Sequence, residues 1–255
     1  MNYVYYFTGT GNSLQIANDI ATQIENKTKG ICNVRKITDY KGEKLEADTV
    51  GLIFPVYNWG LPLIVVNFFK KVNISNDTYV YAIANYGGLP GRALDQCKSI
   101  LEKRNINLAS GFLIQMPGNY IIAYDAKDQR KQEKIFKNER EKIKEISDII
   151  SQGKQMKIQK SHAMIDRLFT NYMYKDTKNF HCKDNDFVVN ESCIGCGLCS
   201  KRCPVGNIII KDKKPVWKHK CEFCLACIQS CPKEAIDYKE KTKGRKRYIN
   251  PNVKL

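Results

Sequence analysis

In the first 115 residues, apolar positions switch repeatedly between short unbroken runs and a three-to-four spacing. Residues 3–7 (YVYYF), 50–54 (VGLIF), 79–84 (YVYAIA) and 111–115 (GFLIQ) are β-branched and aromatic runs that predict strands. Between them, residues 13–25 carry Leu14, Ala17, Ala21 and Ile24 at helical spacing. Residues 62–71 read as a helix with proline near its first turn, and residues 92–103 as a helix with Leu94, Cys97 and Leu101 on one face. Strands alternating with helices predict an α/β fold, with a parallel sheet covered on both faces. Residues 128–150 then predict one long charged helix with Ile135, Ile143, Ile146 and Ile150 inward.

After that helix the texture changes. The first domain is expected to span residues 1–152, and residues 153–183, polar and basic, to form a connector with some helix around 164–174. From residue 184 the chain is cysteine-rich, which marks a second domain to residue 240, followed by a basic tail, 241–255. The second domain contains an internal repeat. CIGCGLCSKRCPVGNI from Cys193 aligns with CEFCLACIQSCPKEAI from Cys221 at an offset of 28, matching all four cysteines, the proline and the final isoleucine.

At 255 residues and 43% hydrophobic content, the chain can bury a sizeable core. No apolar run approaches the roughly 20 residues of a membrane span. A basic n-region followed by an apolar h-region is missing, so a cytoplasmic location is expected. Eleven cysteines, eight of them between Cys193 and Cys231, then point to metal or redox chemistry rather than a disulfide scaffold. The formal charge of +16 is uneven: residues 125–160 hold 11 Lys+Arg against 7 Asp+Glu, and residues 239–255 hold 7 against 1. Such charge serves an acidic protein partner, a nucleic acid, or no partner at all on a solvated helix face and a floppy tail. No nucleic-acid motif accompanies it.

Each half of the repeat reads C-x2-C-x2-C-x3-C-P. Three thiolates within seven residues wrap one iron–sulfur cubane, and in the two-cluster pattern the fourth ligates the other cluster. That assigns Cys193, Cys196, Cys199 and Cys231 to one 4Fe–4S cluster, and Cys221, Cys224, Cys227 and Cys203 to the second. Structural zinc uses paired hooks and has no need of the repeated triplet-plus-one with proline. Ile194, Ile208, Phe223 and Ile236 are expected to keep water from the clusters, while Cys32 and Cys97 read as small core residues and Cys182 as a free thiol.

The loop FTGTGNS follows the first strand. It lacks the lysine of a Walker A loop and the third glycine of a Rossmann loop, but Thr8, Gly9, Thr10, Gly11, Asn12 and Ser13 match the flavodoxin phosphate loop T-x-T-G-x-[ST]. Hydroxyls, backbone amides and a helix N-terminus suffice to hold a phosphate. Two further loops follow later strands: Pro55, Val56, Tyr57, Asn58 and Trp59, then Asn85, Tyr86, Gly87 and Gly88. Ligands of open α/β sheets sit beyond the carboxyl ends of the strands. Tyr57, Trp59 and Tyr86 would offer stacking faces to a flat ring, and Asn119 with Tyr120 would close over it.

Residues 1–150 therefore resemble flavodoxin, and residues 184–238 resemble bacterial two-cluster ferredoxins. The whole chain is similar to flavodoxin–ferredoxin fusion proteins of anaerobes, on the FTGTGNS loop, P-x-Y-x-W, the Y-G-G loop, M-P-x-N-Y, both cysteine motifs and the tail residues Arg245, Arg247 and Tyr248. The resemblance implies a flavodoxin-like doubly wound sheet with a smaller α+β two-cluster ferredoxin domain. It also implies bound FMN, two low-potential 4Fe–4S clusters, and electron transfer between them and on to partners. In flavodoxins the peptide beside the flavin N5 turns over; here it falls within residues 56–58, where no glycine eases the turn. Two alternatives stay open: a flavin-dependent reductase fed by its ferredoxin domain, and a redox sensor. His162, His181 and His219 all lie outside the flavin loops, so no general acid stands out. With two clusters and the FMN phosphate bound, the charge falls to about +10, which still favours acidic redox proteins as partners.

Overall fold

The computed structural model describes residues 1–161 and 164–255, without the side chains of Met164, Ile165 and Arg167; His162 lies outside the described residues. Strands β1 (Asn2–Tyr6), β2 (Cys32–Lys36), β3 (Thr49–Pro55), β4 (Tyr79–Tyr86) and β5 (Leu108–Gln115) pair in parallel in the order β2-β1-β3-β4-β5. This 2-1-3-4-5 order is the flavodoxin-like one. Its direction reverses at β1 and β3, whose carboxyl ends open a crevice, and ligands of such sheets bind there.

Successive side chains of each strand point to opposite faces, so each face needs its own cover. Helices α1 (Asn12–Thr28) and α4 (Gln129–Ser151) pack over Val4, Tyr6, Ile53, Ile83 and Ile114. Helices α2 (Leu63–Phe69) and α3 (Ala93–Glu102) cover Tyr5, Leu52, Phe54, Ala82 and Ala84 on the other face. Cys32 and Cys97 are buried in these cores. The long helix sits one position away from expectation. Phe136, not Ile135, is in phase with Ile143, Ile146 and Ile150 and enters the core, while Ile135 stays half-buried. Strand β2 (CNVRK) carries no apolar run because it is an edge strand whose last two residues face solvent.

The connector is structured. Helix α5 (Met164–Met173) and a 3-10 stretch, Tyr174–Asp186, press on the loop after β3. Asn58 Nδ2 donates to the carbonyl of Met173 at 2.5 Å, Thr170 Oγ1 to that of Trp59 at 3.1 Å, and Tyr174 Oη to that of Leu61 at 2.8 Å. The rings of Trp59 and Phe169 stack at 5.0 Å and 15°.

The cysteine-rich region folds as short helices α6 (Leu198–Arg202) and α7 (Ala226–Gln229) with two antiparallel pairs. Strand β6 (Phe187–Val189) pairs with β9 (Ile236–Tyr238), and β7 (Ile208–Lys211) with β8 (Lys214–Trp217). Its core of Phe187, Ile208, Phe223, Ile228 and Ile236 also takes in Phe180 from the connector and Ile121 from beyond β5. No helix of the described residues is long and apolar enough to cross a membrane. The tail is anchored: Tyr248 and Asn250 are 3% and 1% exposed, and both bond to α1.

Between α1 and α4 a carboxyl is buried almost without compensation. Glu139 is 1% exposed and accepts from Gln15 Nε2 at 3.0 Å, with Asp19 beside it. Burial first, and the Asp19 charge second, push Glu139 up to about 8. A raised carboxyl contributes stability that is complete below the usual carboxylate range and is lost as the pH climbs through that raised value. We expect the wild type to lose roughly 2 kcal/mol, or about 5 °C in Tm, relative to Glu139→Gln between pH 5 and 8. Thermal melts of both proteins across that range check it; parallel profiles would contradict it.

Candidate functional site

The loop after β1 is built as a set of donors. Thr8 Oγ1 accepts the Gly11 N–H at 2.9 Å, Thr10 Oγ1 accepts Asn119 Nδ2 at 2.9 Å, and Ser13 Oγ accepts Asn85 Nδ2 at 2.8 Å. With each hydroxyl oxygen already holding a protein donor, its own proton is left for an outside acceptor. The carbonyl of Phe54 also accepts from Asn85 Nδ2, at 3.0 Å, which fixes that amide's orientation. The N-terminus of the 17-residue α1 adds its partial positive charge. Residues 3–26 contain no Lys or Arg, so the loop suits an anion held by hydrogen bonds and a helix end, not by a cation.

These hydroxyls line a cavity of about 590 Å³, inside the roughly 300–1,000 Å³ range of small-molecule sites. The structure brings the three predicted loops and the closing segment together around it. Thr8, Gly9, Thr10, Asn12 and Ser13 line it, as do Pro55, Val56, Tyr57, Asn58, Trp59, Asn85, Tyr86, Gly87, Gly88, Asn119 and Tyr120. Gly11 is the exception. At φ +103° it turns the chain into α1, and a Cβ there would lie 2.8 Å from Asn250 Cβ and 2.9 Å from Val253, so it faces the tail instead. After β3, the N–H and C=O of Tyr57 and Gly60 exchange hydrogen bonds of 2.9 Å around Asn58 and Trp59, at φ +49° and +63°. A two-residue turn of this kind needs two left-handed residues; asparagine tolerates that, and tryptophan is held there by Thr170 and Phe169.

Sequence reasoning missed the opposite wall. Met173, Asp176, Phe180 and Lys183 reach the cavity from the connector, and Phe223, Cys224, Leu225, Tyr238 and Lys241 from the cysteine-rich region and tail. These contacts join residues far apart in sequence, and no local pattern marks them.

The eight cysteines surround two small cages. Cys193, Cys196, Cys199 and Cys231 line one with Ile194, Ile210 and Ile236; Cys203, Cys221, Cys224 and Cys227 line the other with Phe187, Ile208 and Trp217. The fourth cysteine of each motif thus stands in the cage of the other motif. Backbone N–H groups point at sulfur: Phe223 to Cys221 at 3.2 Å, Asn207 to Cys203 at 3.2 Å and Ala235 to Cys231 at 3.3 Å. Among the described residues no three His, Cys, Asp or Glu side chains converge on a single ion. Cages of four sulfurs around a shared space fit a cluster, whereas zinc needs its ligands at one point. Burial pushes the Cys224 thiol up to about 12 and also raises that of Cys227, so thiolates at these positions call for a positive partner beside them. Of the four expected shielding residues, Ile208, Phe223 and Ile236 are buried, but Ile194 is 60% exposed over its cage. Cys182 is exposed and outside both cages.

The second cage and the large cavity share a wall: Cys224 and Leu225 line both. A Cβ on Gly9 would lie 2.8 Å from the Cys224 carbonyl oxygen and 3.2 Å from Tyr57 Oη. Tyr57 Oη is buried there without a hydrogen-bond partner among the described residues. Burial, followed by Cys224 and Glu222, holds this phenol protonated well beyond its usual range, leaving a donor at the boundary. His219 bonds Asp184 at 2.8 Å, away from the cavity.

A hydrogen-bonded ring ties α7 to the anion loop. Gln229 Nε2 donates to the carbonyl of Asn119, whose side chain donates to Thr10, and Gln229 Oε1 accepts the Tyr248 N–H. Tyr248 Oη and Asn250 Nδ2 donate to Asn12 Oδ1 at 2.6 and 3.1 Å, and the Asn250 N–H donates to the carbonyl of Thr10 at 2.8 Å.

Residues 192–236 match the family model of the 4Fe-4S dicluster domain. No curated protein matches the chain. Several solved structures overlie the α/β region. The flavodoxin of Megasphaera elsdenii is 21% identical, covers 45% of this chain and 85% of its own, and has a TM-score of 0.38. The Streptococcus pneumonia TIGR4 flavodoxin is 15% identical over 59% of this chain and 97% of its own, with a TM-score of 0.43. An FMN-dependent NADH-azoreductase from Bacillus anthracis, solved with FMN, is 8% identical over 59% of this chain and 99% of its own, with a TM-score of 0.43. The crossed cages make a prediction: Cys231→Ser should cost the purified protein the cluster of the first motif and about half its iron, while Cys203→Ser should cost it the cluster of the second. Iron analysis with EPR of the reduced proteins distinguishes the two losses; identical residual spectra would contradict the crossing.

Proposed function

We propose that this chain, a flavodoxin-like domain joined to a 4Fe-4S dicluster domain, is an electron-transfer protein that passes electrons between FMN in the large cavity and two 4Fe–4S clusters, and on to redox partner proteins. One observation carries this reading: Cys224 belongs to a cysteine cage and to the wall of the large cavity. When bound, FMN exchanges one or two electrons and each cluster one, so together they split or collect electron pairs.

The chain's own residues supply the rest. Thr8, Thr10 and Ser13 anchor the phosphate with protons that their partner amides leave free. The hairpin of Tyr57 to Gly60 and the loop of Asn85 to Gly88 flank the space for the ring, with one face of Trp59 already taken by Phe169. Phe223, Leu225 and Tyr57, in the wall of the large cavity nearest the second cage, would exclude water from the space between the two groups once both are bound. The cage of Cys193, Cys196, Cys199 and Cys231 then forms the far end, with Cys196 exposed to a partner.

A second reading, a flavin-dependent reductase, draws on the aromatic and charged lining beyond the flavin loops: Tyr124, Asp176, Lys183 and Lys241. Anaerobic assays of the holoprotein with reduced ferredoxin and with NAD(P)H separate the two. We expect reduction of clusters and flavin with no turnover of small acceptors; sustained turnover of one would overturn the carrier reading. The cofactor content is itself a prediction, at about eight irons and one FMN per chain. Because Asn250 braces the anion loop from behind, Asn250→Ala should weaken FMN binding about tenfold at unchanged iron content. Fluorescence titration of the flavin-stripped protein measures it, and equal affinities would remove the tail from the site.

A further inference from the structure

The mouth of the large cavity lies beside a basic surface assembled from two distant segments. Tyr120 and Tyr124 line the cavity and are still 43% and 44% exposed. Lys241 lines it too. The Lys246 N–H donates to Asp125 Oδ1 at 2.9 Å, and its carbonyl accepts the Ala126 N–H at 3.3 Å. That clasp sets the tail cations beside those that open α4. Residues 125–134 and 240–246 together hold eight Lys+Arg against four Asp+Glu. Among the described residues, the ion pairs within this surface are Lys131–Asp128 and Lys243–Glu240, both between close neighbours in sequence, so Lys127, Arg130, Lys241 and Lys246 keep their charge for the outside.

We infer that this surface is the docking face for an acidic one-electron carrier protein, which meets the flavin end of the chain through Tyr120 and Tyr124. The inference rests on the electron-transfer reading above. Exposed aromatic side chains ringed by charge have the anatomy of a protein interface, with an apolar centre and a polar rim. The sign of the rim selects an acidic partner and accelerates its approach. Cofactor binding does not neutralise the surface, because the anion loop holds its phosphate without Lys or Arg. The other approach to the redox centres is the first-motif cage, beside the outward face of β7 and β8, where Ile209 and Val216 are exposed with Lys211 and Lys214. Lys214 is paired there with Glu191 at 3.1 Å. Of the two approaches, only the cavity mouth sets its cations around exposed aromatic rings that also line the large cavity, and we assign entry to that end.

The test is the rate of flavin reduction in the holoprotein by a photoreduced acidic two-cluster ferredoxin, followed by stopped flow at several salt concentrations. In Lys127→Glu/Arg130→Glu/Lys246→Glu the second-order rate should fall at least about tenfold and lose its salt dependence. Photoreduced deazaflavin, a small donor that needs no docking face, should reduce wild type and variant at the same rate. The assignment is overturned if the ferredoxin rate does not change, or if the loss appears in Lys211→Glu/Lys214→Glu instead. An equal loss with deazaflavin would mean that the charges act on the cofactor, and also overturns it. Tight binding of a random RNA, lost in the triple variant while electron exchange stays intact, would give the surface to a nucleic acid. Failure of deazaflavin to reduce the holoprotein in any form would overturn the electron-transfer reading itself.

Discussion

A Cβ on Gly9 would lie 2.8 Å from the carbonyl oxygen of Cys224, well inside van der Waals contact. Glycine at this position lets two domains of different design approach backbone to backbone, beside the large cavity and the second cysteine cage. The contact sits at the crevice where the strand order reverses, so the sheet itself aims the loop after β1 at the cysteine-rich region. Other bonds fix the same seam. The Glu222 carboxylate, between two cage cysteines, accepts the Ile64 N–H at the start of α2 at 3.1 Å, and Cys224 packs against the apolar core of the α/β domain. Were the seam to open, the two cofactor sites would part and water would enter between them.

The same seam makes the anion loop a shared property of the whole chain. Thr10 is held by Asn119 from beyond β5, Asn119 by Gln229 between two cage cysteines, and Asn12 by Tyr248 and Asn250 of the tail. These braces tie the geometry of the loop after β1 to that of α7. The long polar side chains doing this are glutamine and asparagine, which add no charge near the phosphate and leave the basic residues for the surface.

Much of the architecture is legible in sequence because it rests on local rules. Strand runs and helical spacings locate the sheet and its cover, the T-x-T-G-x-S loop locates a hydroxyl-lined wall of the large cavity, and the C-x2-C-x2-C-x3-C-P repeat locates both cages. Elements without a local signal escape. Strand β2 is a half-exposed edge and lacks an apolar run. Phe136 displaces Ile135 because two adjacent apolar residues leave the helix phase undetermined until it packs. The connector's helix near residues 164–174 is legible, but its clamp on the β3 loop, where Thr170 and Tyr174 donate to main-chain carbonyls, is not. The far wall of the cavity (Phe223, Leu225, Tyr238) and the anchored tail are tertiary facts, invisible to periodicity.

Electron exchange between the two halves of the chain depends on the Gly9–Cys224 contact. Its most direct measurement is flash reduction of the clusters in the holoprotein, with flavin absorbance followed at several protein concentrations. Electron transfer through a shared wall is intramolecular, so the flavin should be reduced in a single phase whose rate is independent of protein concentration. Gly9→Val, which wedges the wall apart, should slow that phase in the molecules that retain both cofactors. A flavin rate proportional to protein concentration, or one indifferent to the wedge, would contradict the account.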